Sequence, residues 1–204
     1  MSEITTGLRA VLSHPRVYMA FQAMMGAERG RRMFVSQFVR PKDGEKILDV
    51  GCGTADIVHL LPDVSYWGFD ISAPYIESAQ QRLGTRGHFI QRPLDEEAVS
   101  QLPEFDTVLA VGLLHHLNDN AAQKTVRLAH ATLRLGGRLV TIDPCLDPSQ
   151  TSIARFLVRH DRGQNVRDLE GYRAVVAPIF DTVHGVVRHQ RWIPYSHCIM
   201  ECTK

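Results

Sequence analysis

The chain has 204 residues, 44% of them hydrophobic, which is enough apolar material for the core of one ordinary globular domain. Its formal net charge of +1, with both signs mixed along the chain, excludes the strongly basic character of a nucleic-acid-binding domain. No apolar run reaches the length of a membrane span, and the first residues lack the layout of a secretion signal. The expected location is therefore the cytoplasm, with the four scattered cysteines as reduced thiols.

Apolar residues recur at helical spacing from about residue 4 to residue 39, and this pattern predicts N-terminal helices. After them, strands alternate with helices, which is typical of a mostly parallel sheet with helices on both faces. In chain order, the predicted elements are strand 46–50, helix 54–61, strand 66–70, helix 73–82, strand 88–91, strand 105–111, helix 119–134, strand 137–143, helices 151–160 and 168–177, and a hairpin of strands 182–190 and 195–203.

A glycine turn follows the first predicted strand. Asp49 precedes Gly51 and Gly53, and a strand, a glycine turn and a helix in this order are typical of nucleotide sites in α/β sheets. The Asp49 carboxylate would repel a pyrophosphate, and Asp56 stands where a dinucleotide motif has its third glycine. The pattern therefore favours a positively charged nucleoside. S-adenosylmethionine, which carries a sulfonium and an ammonium group and no phosphate, fits it.

The segment 47–55 resembles the glycine motif of the class I S-adenosylmethionine-dependent methyltransferases of the small-molecule type. Three further motifs of that family follow in the expected order: Asp70 at the end of the second strand, 105–117 as the fourth strand and its loop, and 133–143 as a Gly-Gly turn and the fifth strand. The resemblance implies an open, mostly parallel seven-stranded sheet with helices on both faces. It also implies that the last strand is antiparallel and lies beside the fifth.

The resemblance further implies one methyltransferase domain over 1–204. Its expected parts are a helical lid at 1–42, a core at 43–143 that binds S-adenosylmethionine, and substrate-side helices with a C-terminal hairpin at 144–204. Asp70 is expected to bind the two ribose hydroxyls. The residues expected to contact the cofactor are Tyr18, Asp49, Gly51, Cys52, Gly53, Asp70, Ile71, Leu94, Ala110, Val111 and His115.

The segment after the third strand, Arg92-Pro93-Leu94-Asp95, departs from the family pattern, which often places an aspartate on the adenine amino group. Leu94 can still offer its backbone N–H to adenine, and Asp95 can replace the missing carboxylate. Arg92 or Ile71 can pack on the adenine ring. These adenine contacts stay open at the level of sequence.

Two adjacent histidines, His115 and His116, follow the fourth strand. Adjacent side chains point in different directions, and no cysteine or acidic residue lies at zinc-like spacing, so no metal site is expected. The family resemblance implies that one imidazole lines the cofactor pocket while the other has a structural role. Either is also a candidate general base, because imidazole titrates near neutrality.

The segment 151–167 follows the fifth strand and is expected to overhang the mouth of the site. Its apolar side chains at helical spacing are Ile153, Phe156, Leu157 and His160. Arg159 and Arg162 are candidates for binding an anionic acceptor. A plain amphipathic surface helix explains the same pattern.

These observations predict a methyltransferase with S-adenosylmethionine as cofactor and a small-molecule acceptor as partner, without nucleic acid or membrane. One alternative is an RNA or protein methyltransferase. Cys145 after the fifth strand resembles the nucleophile of RNA cytosine methyltransferases, but their second cysteine-bearing loop is missing. A second alternative is a protein that binds S-adenosylmethionine without methyl transfer, such as a cyclase or sensor, because a fold does not fix a reaction. The attacking atom of the acceptor and the oligomeric state stay open.

Overall fold

The computed structural model describes residues 27–159, 163–190 and 195–204. Their strands form one seven-stranded sheet in the order β3-β2-β1-β4-β5-β7-β6. The strands are β1 Lys46–Val50, β2 Ser65–Asp70, β3 His88–Gln91, β4 Phe105–Val111, β5 Leu133–Pro144, β6 Thr182–Gln190 and β7 Tyr195–Thr203. All pairs from β3 to β5 are parallel, whereas β7 is antiparallel to both β5 and β6. The predicted fold class is confirmed, including the antiparallel last strand beside the fifth.

Six α-helices accompany these strands in the described ranges. They are α1 Ala27–Phe34, α2 Ala73–Leu83, α3 Glu96–Gln101, α4 Asp119–Thr132, α5 Ser152–Arg159 and α6 Leu169–Val176. A π-helical turn, Val35–Val39, follows α1, and 3₁₀ helices form at Asp56–Leu60, Gly84–Arg86 and Leu114–His116. None of the helices in these ranges has the length and apolar character needed to cross a bilayer.

The sheet is buried on both faces, because successive strand residues point to opposite sides. Leu48 and Val108 belong to one buried cluster, which includes residues of α4 and α6. Ile47 and Leu109, their neighbours in sequence, belong to a second cluster with residues of α1 and α2. This two-sided burial accounts for the near-continuous apolar runs of β1 and β4, and each fully buried aliphatic side chain stabilises the fold by about 1.5–3 kcal/mol.

Local differences from the predicted elements have local causes. The helix predicted at 54–61 is present in shorter form as the 3₁₀ helix Asp56–Leu60, which begins after two left-handed residues, Gly53 and Ala55 (φ +55° and +54°). Helix α3 was not predicted; Asp95 starts it by accepting a hydrogen bond from the backbone N–H of Ala98 at 2.8 Å. The N-terminal helices expected before residue 27 and the hairpin link 191–194 lie outside the described residues.

Candidate active site

The carboxyl ends of β1, β2 and β4 bring the predicted cofactor residues to one edge of the sheet. Asp49 is in register with Gly68 of β2 and with Leu109 of β4. Asp70 ends β2, and Ala110 is the penultimate residue of β4. Since parallel strands end at the same edge, these positions surround the turn that follows β1, which is where open α/β sheets bind ligands.

The glycine turn after β1 is bonded to β2 and open above its second glycine. The backbone N–H groups of Gly51 and Cys52 both donate to the carbonyl of Phe69, at 2.8 and 3.0 Å. Gly51 and Gly53 have φ angles of +73° and +55°, which favour glycine. A Cβ on Gly51 would lie 2.9 Å from Leu113 Cδ1, whereas one on Gly53 would meet nothing within 4 Å. The turn therefore leaves open space over Gly53 for a ligand.

Asp70 is held by the two loops beside it. Its Oδ2 accepts a hydrogen bond from the Gly53 backbone N–H at 2.9 Å, and its Oδ1 accepts one from the Ser72 backbone N–H at 2.8 Å. Each carboxylate oxygen retains acceptor capacity for a further donor. The half-buried carboxylate is thus oriented at the tip of β2 before any ligand arrives.

Asp49 is a buried carboxyl with one oxygen unsatisfied. Only 2% of the residue is exposed, and the Tyr66 hydroxyl donates to its Oδ2 at 2.7 Å. Its Oδ1 has no hydrogen-bond partner among the described residues. Burial raises the pKa of Asp49 to about 7, although the Tyr66 hydrogen bond opposes the rise. Since an unpaired buried acceptor costs about 1–3 kcal/mol, a cationic donor at Oδ1 would be favourable, and the ammonium-bearing end of S-adenosylmethionine fits this chemistry.

The other predicted cofactor residues differ in exposure. Cys52 is half-buried in the glycine turn, and burial raises the pKa of its thiol well above the ordinary range. Ile71 is 49% exposed beside Asp70, while Leu94 is buried. Val111 ends β4 and is half-buried next to Ala110, which is buried.

Asp95 has structural partners of its own in the segment after β3. Besides capping α3, it accepts hydrogen bonds from Arg92 Nη2 at 2.7 and 2.9 Å. Hydrogen bonding to Ala98 and to Arg92 lowers the pKa of the Asp95 carboxyl. Asp95 and Arg92 are therefore engaged with each other, and their contact with adenine stays a prediction.

His115 pairs with an acidic residue that the sequence analysis did not assign to the site. The imidazole Nδ1 of His115 lies 2.8 Å from Oδ1 of Asp143 in β5, and the backbone N–H of His115 donates to the same oxygen at 3.1 Å. Both residues are buried, and Oδ2 of Asp143 has no partner within the described ranges. The ring of His116 packs against that of His115, with 4.0 Å between centroids. Asp143 is the acidic residue near the end of β5, the strand beside β4. Its position in the sequence could therefore have marked it as a candidate site residue.

The segment after α5 lies directly against His115. A Cβ on Gly163 would be 2.0 Å from His115 Cδ2, and the backbone N–H of Asn165 donates to the His115 carbonyl at 2.9 Å. The exposed Arg159 ends α5 only four positions before Gly163. Gly163 and Asn165 thus place the segment after α5 on His115. Tyr18 and Arg162, two further predicted contacts, lie outside the described residues.

Helix α5 differs from an ordinary surface helix in which of its apolar side chains are buried. The helix buries Ala154 and Val158, whereas Ile153 and Phe156 are 65% and 60% exposed. A surface helix normally turns its large apolar side chains inward and its small ones outward. Helix α5 therefore leaves two of its large apolar side chains at the surface.

Residues 48–139 match a family model described as a methyltransferase domain. An uncharacterized methyltransferase of Anoxybacillus flavithermus is 32% identical over 108 residues, covering 50% of this chain and 48% of that protein. The O-methyltransferase resE of Aspergillus sclerotiorum is 34% identical over 125 residues, covering 55% of this chain and 46% of that protein. The chain thus spans about half the length of these curated relatives.

Among solved structures, the chain is similar to phosphoethanolamine N-methyltransferase 2 of Haemonchus contortus in complex with S-adenosyl-L-methionine. The TM-score is 0.66 at 13% identity, over 86% of this chain and 52% of that one. At this identity the likeness concerns the fold alone, and it agrees with the strand order described above.

Proposed function

We propose that this chain, whose residues 48–139 match a methyltransferase-domain model, is a class I S-adenosylmethionine-dependent methyltransferase that transfers a methyl group from S-adenosylmethionine to a small-molecule acceptor. One observation carries the proposal: the unsatisfied oxygen of Asp49 and the oriented carboxylate of Asp70 flank an open glycine turn at the carboxyl edge of the sheet. This arrangement suits a cationic nucleoside without phosphate.

The residues of this edge would share the binding of the cofactor, which supplies a methyl group on a sulfonium. Asp49 would face the positively charged methionine end, and Asp70 would accept hydrogen bonds from the ribose hydroxyls. The carbonyls of Ala110 and Val111 would receive the ammonium group. Ile71 and Leu94 would border the adenine ring, with Leu94 offering its backbone N–H.

A small acceptor is favoured over a macromolecule. The net charge of +1 gives no long-range attraction for nucleic acid, and the similar solved structure is named for phosphoethanolamine, a small molecule. The alternative of an RNA or protein acceptor has no support from these relatives. Free Cys52, Cys145, Cys198 and Cys202 support the reducing cytoplasm as the location.

His115 is proposed as the general base for an acceptor that must lose a proton. The cofactor would supply the methyl group for the acceptor, and the imidazole of His115 would take up the proton that the acceptor loses. Asp143 would hold Nδ1 of His115 and stabilise the imidazolium that results. Positioned bases contribute roughly 10²–10⁴-fold, so methyl transfer that depends mainly on alignment would continue slowly without one. His116 would support the ring of His115 by packing.

Helix α5 is proposed as one wall of the acceptor pocket. Its exposed Ile153 and Phe156 offer apolar surface, and Arg159 offers a positive charge at the end of the helix. Arg162 would add a second charge. The acceptor would then combine an apolar body with an anionic group.

Calorimetric titration with S-adenosylmethionine, S-adenosylhomocysteine and NAD tests the cofactor. We expect the first two to bind and NAD not to bind. Asp49→Asn should weaken S-adenosylmethionine more than uncharged adenosine, whereas Asp106→Asn, a carboxylate at the opposite edge of the sheet, should change neither. Binding of NAD in preference to S-adenosylmethionine, or equal losses for both ligands in Asp49→Asn, would contradict the proposed cofactor site.

Transfer of labelled methyl from S-adenosylmethionine to a panel of small phenols, amines and aromatic carboxylates tests the reaction. His115→Gln should lower the rate roughly 10²-fold or more. His130→Gln serves as the matched control, because it removes an imidazole from the last turn of α4. Arg159→Ala should raise the apparent KM for anionic acceptors and leave cofactor binding intact. Equal rates in His115→Gln and the wild type would refute the role of His115 as base.

A further inference from the structure

Arg167 lies between α5 and α6 with its guanidinium almost fully buried against the turn that carries His115. Its side chain is 9% exposed. Nη1 donates hydrogen bonds to the carbonyls of Leu114 and Asn165, both at 3.0 Å, and Nη2 donates to the carbonyl of Leu117 at 2.8 Å. One guanidinium therefore holds the residue before His115 and the residue after the 3₁₀ helix.

A carboxylate completes this arrangement. Oδ1 of Asp119, in the first turn of α4, accepts hydrogen bonds from Arg167 Nε at 3.0 Å and Nη2 at 2.7 Å. The Asp119 side chain is 77% exposed, so it reaches the guanidinium from the solvent side. Asp119 thus holds the Nε and Nη2 side of the guanidinium. Nη1, on the other side, donates to the Leu114 and Asn165 carbonyls.

Arg167 is also bonded to the end of β5, where Asp143 lies. Its backbone carbonyl accepts a hydrogen bond from the N–H of Leu146 at 3.1 Å. Its guanidinium lies 5.7 Å from the ring centroid of Tyr172, whose hydroxyl donates to the carbonyl of Pro144 at 2.8 Å. Arg167 therefore contacts both chain segments that bring His115 and Asp143 together.

We propose that Arg167 is a positioning residue that holds His115 in register with Asp143. The inference rests on the proposed function, in which His115 receives the acceptor proton. A planar fork of five donors can span the Leu114 and Leu117 carbonyls and Asp119 at once, whereas a lysine ammonium cannot. Without the fork, the Leu117 carbonyl loses its Arg167 donor and the Leu114 carbonyl keeps only the backbone N–H of Leu117, so the turn is held less firmly and the Nδ1 to Oδ1 contact loosens.

The test follows the imidazole and the turn directly, so it needs no acceptor. Proton NMR edited by ¹⁵N observes the Nδ1–H proton of His115. The signal is assigned by its loss in His115→Gln. In Arg167→Gln we expect this proton to broaden or vanish, and hydrogen exchange in a peptide covering 113–119 to accelerate roughly tenfold. Arg167→Lys should restore only part of both signals. Calorimetry with S-adenosylmethionine should give an unchanged Kd, because the cofactor turn lies over β1 and β2.

Arg134→Gln is the matched control, since Arg134 also pairs with a carboxylate and a backbone carbonyl, at the opposite edge of the sheet. It should leave the His115 signals unchanged. A sharp, protected Nδ1–H proton in Arg167→Gln would overturn the proposal, even if the variant unfolds at a lower temperature. If Arg167→Gln does not fold, Asp119→Asn decides: an unchanged Nδ1–H proton in that exposed variant refutes the proposal, and partial broadening supports it. Unaltered methyl transfer by His115→Gln would refute the role of His115 as general base. The NMR result would still decide whether Arg167 positions the ring of His115.

Discussion

The carboxylate of Asp70 accepts a hydrogen bond from the backbone N–H of Gly53 at 2.9 Å, which joins the tip of β2 to the turn after β1. The other carboxylate oxygen accepts from the N–H of Ser72, at the start of α2. Asp70 therefore shapes the glycine turn in addition to its proposed role on the ribose. Substitution of Asp70 should therefore lower both the stability of the protein and its affinity for S-adenosylmethionine. The two losses can be measured separately.

Asp70→Ala should weaken S-adenosylmethionine by about 1–3 kcal/mol, the range for losing hydrogen bonds to a charged group. The same variant should be less stable without ligand, because the N–H groups of Gly53 and Ser72 lose their acceptor. Calorimetry and urea unfolding measure the two effects. Asp181→Ala, which removes an exposed carboxylate after α6, is the control and should change neither. Unchanged affinity in folded Asp70→Ala would refute ribose binding by this residue.

Asp49 should make the unliganded protein less stable as the pH rises. Burial raises its pKa from 3.8 to about 7, so the folded state holds the proton more tightly than the unfolded state. This contribution to stability is full below about pH 4 and is lost as the pH rises through about 7. Asp49→Asn keeps a neutral group and an acceptor for Tyr66, so it should unfold at higher urea concentrations than the wild type above neutrality. The difference should be on the order of 4 kcal/mol near pH 9, because one pKa unit corresponds to about 1.4 kcal/mol.

Asp106→Asn is the contrasting control for that experiment. Burial favours a higher pKa for Asp106, but hydrogen bonds from the Lys46 backbone N–H and from Arg134 lower it. Its contribution is therefore present above the unfolded pKa and is lost only in acid. The free energies of unfolding of the wild type and Asp49→Asn, measured from about pH 5 to about pH 9, should diverge as the pH rises to about 7 and should keep a constant difference above it. Parallel profiles would show that Asp49 is ionised in the folded protein throughout this range.

Tyr66→Phe should make cofactor binding more sensitive to pH. The Tyr66 hydroxyl donates to Asp49 and lowers the pKa of its carboxyl, so its loss should move that pKa above about 7. If Asp49 must be ionised to meet the cationic cofactor, the affinity for S-adenosylmethionine should fall at neutral pH and recover near pH 9, in the range where the carboxyl ionises. Calorimetry across this range measures the shift. Tyr75→Phe, which removes a hydroxyl from α2, is the control; an equal loss at every pH in Tyr66→Phe would point to packing instead of ionisation.

Much of the sheet and the cofactor edge could be predicted because the information is local. Strand β1 is a short apolar run that contains Asp49 and is followed by a glycine turn. Strand β4 is likewise an apolar run followed by a recognisable loop. Helix α3 was missed because it has only six residues, and its principal signal, the cap Asp95, was assigned to adenine instead. The helix predicted at 54–61 begins two residues later than expected, at Asp56, since its apolar pattern does not reveal the left-handed residues before it.

The contacts of the acceptor side were not predicted, because they join segments far apart in the chain. Asp143 meets His115 only because β4 and β5 are neighbours in the sheet. Arg167 ends the segment 151–167, which was expected to overhang the mouth of the site, whereas its guanidinium is buried on three backbone carbonyls. The exposed faces of α5 were likewise hidden, since periodicity shows which side chains share a face but not whether that face is covered.

The close approach of Gly163 to His115 predicts that a single methyl group will disturb the proposed base. A Cβ on Gly163 would lie 2.0 Å from Cδ2, 2.6 Å from the backbone oxygen and 2.8 Å from Cγ of His115. Because one of these atoms belongs to the backbone, a change of rotamer at His115 cannot relieve the clash. The chain at 163–165 must move away, and it takes with it the hydrogen bond from the Asn165 N–H to the His115 carbonyl.

Gly163→Ala should therefore lower labelled-methyl transfer to the acceptor panel roughly 10²-fold, the scale for a misplacement of about 1 Å in an active site. Binding of S-adenosylmethionine should stay intact, because Gly163 is remote in sequence from the turn that holds the cofactor. Gly84→Ala is the matched control: its backbone angles (φ +53°, ψ −121°) strain alanine by about 1–3 kcal/mol, yet a Cβ there meets nothing within 4 Å. It should lose stability and keep its activity. Should Gly163→Ala transfer methyl groups as fast as Gly84→Ala, the segment does not lie on His115 in solution, and the acceptor-side wall must be sought elsewhere.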